Sequence, residues 1–271
     1  MDASELAFEA FGSGRLEILR ALEKAPQRYT DLAGKLPRSE GELSRNLKRL
    51  VEAGLLEKQA SGAFAPTPLA RAVLSVVPRL DLVARHAEFF QHHEVGGLAP
   101  HLLARLDALG SAALLRDPFA MFQAIQEVFG GARTHFLAQW IIQKQALTEE
   151  DHALNRILEA ALDGKSVDVR GVLLQEELEV VRAGAPGLAG RFQLRVLGPA
   201  PTSLAMSDAG AFLQFQDRSG RIDFNYAFYG RDATYVAWCR DLFEDAWSRA
   251  RPAYGGGEHA APRGKGGARA P

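Results

Sequence analysis

Residues 29–58 read YTDLAGKLPRSEGELSRNLKRLVEAGLLEK. Thr30 is placed to cap a short helix running to about Leu36, because a side-chain oxygen satisfies free amides at a helix start. Pro37 has no amide hydrogen and ends that helix. Ser39 caps the next one. In it Leu43, Leu47, Leu50 and Gly54 fall on one face, while Gly41, Ser44, Arg45, Lys48 and Arg49 fall on the other. Gly54 stands where a helix stop is expected. Residues 55–59 and 62–66 then pair as a hairpin about Ala60, Ser61 and Gly62. This order of helix, turn, cationic helix, stop and hairpin predicts a winged helix-turn-helix, which lays one helix into the DNA major groove. An ordinary three-helix packing unit with a solvated charged face is the plainer alternative.

Outward from this stretch, residues 6–11 and 15–24 carry apolar-periodic helices that complete an N-terminal domain, residues 1–66. Residues 67–99 read as a helical linker, broken near Pro78 and ended by Gly96 and Gly97. Residues 100–248 change to a mixed α/β pattern. Helices are expected at 101–109, 119–129, 148–162, 176–182 and 233–247. Strands are expected at 133–140, 167–174, 192–197, 204–207, 211–215 and 222–228. Phe119, Phe122, Ile125, Val128 and Phe129 are the core candidates of one helix, and Thr148 with Asp151 forms a capping box at another. The fold class expected is α+β or α/β in two domains: winged helix-turn-helix, helical linker, and a C-terminal mixed α/β regulatory domain. Residues 249–271, rich in Gly, Ala and Pro, are expected as a disordered basic tail.

The chain has 271 residues, 47% hydrophobic and 24% charged, enough to bury more than one core. Its single cysteine, Cys239, has no internal partner, and no long apolar run predicts a membrane helix or a signal segment. A cytoplasmic protein with no membrane partner is expected. The net charge of −1 does not advertise nucleic-acid binding, but residues 28–58 hold seven basic residues against five acidic. So thin a patch predicts weak binding by one copy, and a homodimer would double it.

Residues 47–56 resemble the end of the recognition helix in winged-helix domains of prokaryotic regulators. Residues 86–110, HAEFFQHHEVGGLAPHLLARLDALG, and residues 204–247, with Gly220, Asp223, Asp232, Trp238, Leu242 and Phe243, resemble the FilR1-type regulators of archaea. The chain departs from that pattern at Gln214, Phe215 and Gln216, where the family often carries an apolar-Pro step. The resemblance covers nearly the whole chain except the tail. It implies a regulatory domain related to phospholipase D-like proteins and to sugar-responsive archaeal regulators. Phospholipase D chemistry needs a His with Lys two residues on, and no His here has one. No enzyme activity and no cofactor is expected.

On double-stranded DNA, Ser44 and Arg45 are expected to read bases. Lys48 and Arg49 are expected on phosphates, with Arg38, Ser39 and Lys58 contacting from the turn and wing. Arg170, Asp208, Asp223, Asn225 and Tyr226 are candidates for a small-molecule effector site, against the plainer reading of turn-forming and surface residues. His86, His92, His93 and Glu94 suit one metal ion poorly, because adjacent side chains on a helix diverge by about 100°. Cys239 reads as a small buried hydrophobe. The reading these features support is a DNA-binding transcriptional regulator, dimeric and controlled by a small ligand. The alternatives are a winged-helix protein-interaction module and a small-molecule enzyme fused to a DNA reader.

Overall fold

The computed structural model describes residues 1–12, 14–140, 148–184 and 191–253. The chain divides into two compact units, Met1–Arg85 and His86–Pro271.

The first unit contains helices α1 (Ala3–Phe11), α2 (Arg15–Glu23), α3 (Tyr29–Lys35) and α4 (Glu40–Glu52). Strands β1 (Leu56–Lys58) and β2 (Phe64–Pro66) follow, then helices α5 (Pro68–Leu74) and α6 (Val77–Arg85). Each helix presents an apolar stripe to one centre. Ile18, Leu19 and Leu22 of α2 meet Leu32 of α3, and Leu43, Leu47 and Leu50 of α4, with Leu55 and Leu56 closing the floor. Burial of about 1.5–3 kcal/mol per large apolar side chain makes this cluster the reason the short helices hold together. Asn46 is also buried on that side of α4, one turn from Leu43 and Leu50. β1 and β2 pair antiparallel, and Gln27 adds an isolated antiparallel bridge to Phe64 of β2.

Two local details differ from the sequence expectation. The cap of α3 is Arg28, whose amide donates to the Asp31 carboxylate at 3.0 Å, and Thr30 already lies inside the helix. A carboxylate three residues into the helix satisfies the entry amide directly, so Thr30 is not needed there. Residues 67–99, expected as a linker, are shared between the units. Ala70, Val73, Leu74 and Val77 of α5 and α6 join the first core. Phe89, on α7 (Ala87–His92), is buried in the second unit among Phe215, Tyr226 and Phe228.

The second unit continues with α8 (Pro100–Leu103), a 3-10 turn (Leu106–Ser111), β3 (Ala113–Leu115), α9 (Pro118–Gly130) and β4 (His135–Trp140). Next come α10 (Glu149–Leu162), β5 (Asp168–Leu173), a 3-10 turn (Gln175–Glu177), α11 (Leu178–Gly184) and β6 (Gln193–Val196). The last elements are β7 (Thr202–Ser207), β8 (Gly210–Phe215), β9 (Ala227–Gly230), α12 (Ala233–Arg249) and β10 (Arg251–Pro252). The strands form one sheet in the order β10-β6-β5-β4-β7-β8-β9-β3. β4, β5 and β6 run parallel, and every other pairing is antiparallel. Side chains alternate across the sheet. Phe136, Ala138, Val169, Leu194, Ala205 and Phe212 face α9 and α10. The opposite face meets α12, whose Tyr235, Trp238, Cys239, Leu242 and Phe243 are buried. The observed fold is therefore a winged helix-turn-helix followed by a mixed α/β domain.

Four expectations for this unit are corrected. The expected strand over 222–228 is reduced to β9, because residues 216–226 form a turn stitched by Asp217, whose carboxylate accepts the Ser219 and Arg221 amides. Phe119 is 68% exposed, because it sits in the first turn of α9 ahead of the buried stripe that begins at Met121. The expected helix over 101–109 breaks after Leu103 into a 3-10 turn. The expected disordered tail starts too early, since residues 249–252 close α12 and add β10 to the edge of β6. Residues 254–271 of that tail lie outside the described residues.

Candidate nucleic-acid interface and polar clusters

α3 and α4 are held in register by few bonds. Ser39 caps α4 by accepting the Glu42 amide at 3.3 Å. The Tyr29 hydroxyl donates to the Glu40 carbonyl at 2.9 Å, tying the start of α3 to the start of α4. α4 ends at Glu52, and Gly54 takes φ +70°, where a side chain would be strained. The Thr67 hydroxyl donates to the Gly54 carbonyl at 2.7 Å, fixing the exit into the wing. With Leu43, Leu47 and Leu50 inward, the outward side of α4 carries Ser44, Arg45, Lys48 and Arg49, all exposed.

These cations differ in what already holds them. Arg38 is pinched between the carboxylates of Glu17 and Glu42, which raise its pKa. Arg49 donates to Glu9 at 2.6 Å and its guanidinium lies 5.2 Å from the Phe8 ring. Lys48 lies 3.7 Å from Glu52, and Lys58 rests over Phe64 at 5.8 Å. Arg45 is exposed and forms no hydrogen bond or ion pair with any described residue. The acids Glu9 and Glu17 that hold Arg49 and Arg38 are far away in sequence, so this difference was invisible to a reading of charge alone.

The five effector candidates fall into two groups in the second unit. Asp208, in the β7–β8 turn, accepts the amides of Arg133 and Thr134 at 2.9 and 2.8 Å and the Thr134 hydroxyl at 2.5 Å. Burial works against ionisation there, but the Thr134 hydroxyl and these amides outweigh it and hold the carboxyl far below its ordinary range. Asp208 thereby clamps the entry of β4. Next to it, Nε2 of His135 accepts from Arg240 at 2.9 Å. Burial, then the Arg240 charge, lowers the His135 pKa. Arg170, one strand over, donates to Asp168 at 3.0 Å and Glu244 at 2.8 Å and stacks near Phe243 and Trp247.

The other group is Asp223, Asn225 and Tyr226. Asp223 accepts the Asn225 amide at 2.9 Å and faces Nε2 of His93 at 3.0 Å. The His93 ring stacks on Phe89, with centroids 3.9 Å apart, and packs against Tyr226. Nδ1 of His93 meets the Phe89 carbonyl at 2.8 Å. His93 is therefore a core tie between α7 and the 216–226 turn, with both nitrogens engaged inside the protein. It was singled out in the sequence only as one of several histidines, since the partner stands 130 residues away.

The first unit is thus a winged helix-turn-helix with an exposed, cation-bearing second helix, the form used by DNA-binding regulatory proteins. Residues 12–58 match the family described as "Bacterial regulatory protein, arsR family". No curated protein matches the chain. Among solved structures, the chain is similar to one titled "Structure of TrmBL2, an archaeal chromatin protein, shows a novel mode of DNA binding", at 17% identity. That alignment covers 92% of this chain and 97% of the other, with a TM-score of 0.41, a level that does not define a shared fold. No helix among the described residues is long and apolar enough to cross a membrane.

Proposed function

We propose that the chain is a sequence-specific transcriptional regulator that binds double-stranded DNA as a homodimer and is controlled by a small ligand bound in the second unit. The observation that carries the DNA reading is α4 itself. Its apolar side is buried, and its outward side offers Ser44, Arg45 and Lys48 to a groove. Arg45 has the exposed fork suited to a guanine edge, and Ser44 is beside it. Lys48 and Lys58 take phosphates, with Ser39 at the helix start close to the backbone. Arg38 and Arg49 contribute as they exchange Glu17, Glu42 and Glu9 for phosphate oxygens. The finer assignment to the FilR1 type, with a phospholipase D-like second unit, rests on the motifs of residues 86–110 and 204–247.

The dimer reading is supported by exposed apolar residues of this segment: Leu69 on α5, Val76 in the turn after it, and Leu80 and Val83 on α6. Leu80 and Val83, three apart on α6, share one helix face and leave apolar surface open to a second copy. A second recognition helix would double the thin basic patch and match half-sites about one DNA turn apart. The test is a gel shift on native genomic fragments at several salt concentrations. A specific, salt-sensitive shift is expected. Absence of a specific, salt-sensitive shift would replace this reading with a protein-interaction module that binds no DNA.

A further inference from the structure

Among the described residues of the second unit are two open cavities with cationic linings, and their positions in the sheet separate them. One, of about 460 Å³, lies at the amino end of β5, lined by Lys165 and Arg191 among others. It adjoins the carboxyl end of α10, where Lys165 already donates to the Ala161 carbonyl at 2.9 Å. Exposed carbonyls and the negative end of a helix dipole work against an anion there. The other, of about 350 Å³, lies outside the carboxyl ends of the parallel strands β5 and β6. Open α/β sheets seat ligands at that end of their strands, above all where strand order reverses; β4, β5 and β6 follow without a reversal, so strand end and lining together mark this cleft. Its volume falls in the small-molecule range of about 300–1,000 Å³.

From this geometry we infer that the cleft formed by Gln175, Glu176, Gly198, Arg249 and Arg251 is the ligand site of the second unit, and that it takes a small molecule bearing a carboxylate or phosphate. Three elements meet there: the 3-10 turn after β5, the turn after β6, and the junction of α12 with β10. Arg251 donates to Gln175 Oε1 at 2.7 Å, and Arg249 is held by Asp245 on its own helix at 2.7 Å. Each guanidinium has five N–H donors, so these contacts orient the forks and leave donors for an oxyanion. Glu176 in the same lining gives a polar or cationic group on the ligand a partner. Seated between the sheet edge and the end of α12, a ligand would favour whichever arrangement of α12 and β10 it grips better.

This inference rests on reading the second unit as ligand-controlled, and its test uses no DNA, so the two fail separately. Full-length protein is titrated in a calorimeter with inorganic phosphate and, separately, with succinate. Saturable binding of at least one is expected, and which one binds tells phosphate from carboxylate. Arg249→Gln/Arg251→Gln should weaken it at least tenfold, with Lys165→Gln/Arg191→Gln unchanged. Should the double variant unfold, Arg249→Gln alone decides, because that side chain is 59% exposed and outside the core. Absence of saturable heat with both probes, or binding that survives loss of Arg249 and Arg251, overturns the assignment.

Discussion

Nε2 of His93 lies 3.0 Å from the Asp223 carboxylate, and this pair closes the 216–226 turn onto α7. The other ring nitrogen faces the Phe89 carbonyl. The expected result of Asp223→Ala is a loss of about 1.5–3 kcal/mol, the range for a hydrogen bond to a charged group. Urea unfolding followed by tryptophan fluorescence reads it. Unchanged stability would return Asp223 to the pool of ligand-binding candidates.

His135 gives the second unit a pH dependence of predictable sign. Its folded pKa is below the ordinary 6.5, through burial first and the Arg240 charge second. The unfolded chain therefore takes up protons that the folded chain resists. The contribution is fully present above the unfolded value and is lost as pH falls through the lowered folded one. Between about pH 7.5 and pH 5.5, the urea midpoint of the natural protein should drop more than that of His135→Asn. Equal slopes would remove His135 as the cause. Asp208 has the same sign but acts only below the ordinary carboxylate range, so the two are separable.

Arg45→Ala and Lys48→Ala should fail in different ways. Removing Arg45 should cost about 1–3 kcal/mol on the operator and relax preference at one base position. Removing Lys48 should weaken all DNA alike and reduce the salt slope by about one. Footprinting with randomised sites distinguishes them. If Arg45→Ala keeps its full sequence preference, base reading lies elsewhere on α4.

Gly210 has φ +136°, and a Cβ there would stand 2.6 Å from the Gly230 carbonyl oxygen. Gly210→Ala must strain the backbone and displace β9 from β8 at once. A loss of about 1–3 kcal/mol for the backbone alone is expected. Thermal unfolding measures it, and a shift of a degree or less would show that the hairpin absorbs the methyl group.

Much of the first unit was legible because its signals are local. The Ser39 cap, the stripe of Leu43, Leu47 and Leu50, and the stop at Gly54 each act within one or two helical turns. The capping box of Thr148 and Asp151 and the helix it opens were equally readable. The misreadings also have a local origin. Phe119 has the right period and the wrong turn, and residues 222–226 have strand composition yet sit in a turn fixed by Asp217.

The candidate sites were less legible, because charge in a sequence does not say which partner holds it. Arg38 and Arg49 look like Arg45 until Glu17 and Glu9 are brought beside them. Arg170, Asp208 and Asp223 look like ligand groups until Glu244, Thr134 and His93 occupy them. The sequence by itself determined the helix-turn-helix, its cationic second helix and the change to mixed α/β, since period, caps and turn residues act over a few neighbours. Only the tertiary structure decided which polar groups remain open to a partner. The others are held by partners up to 130 residues away, and pairing at that range is set by sheet order and packing.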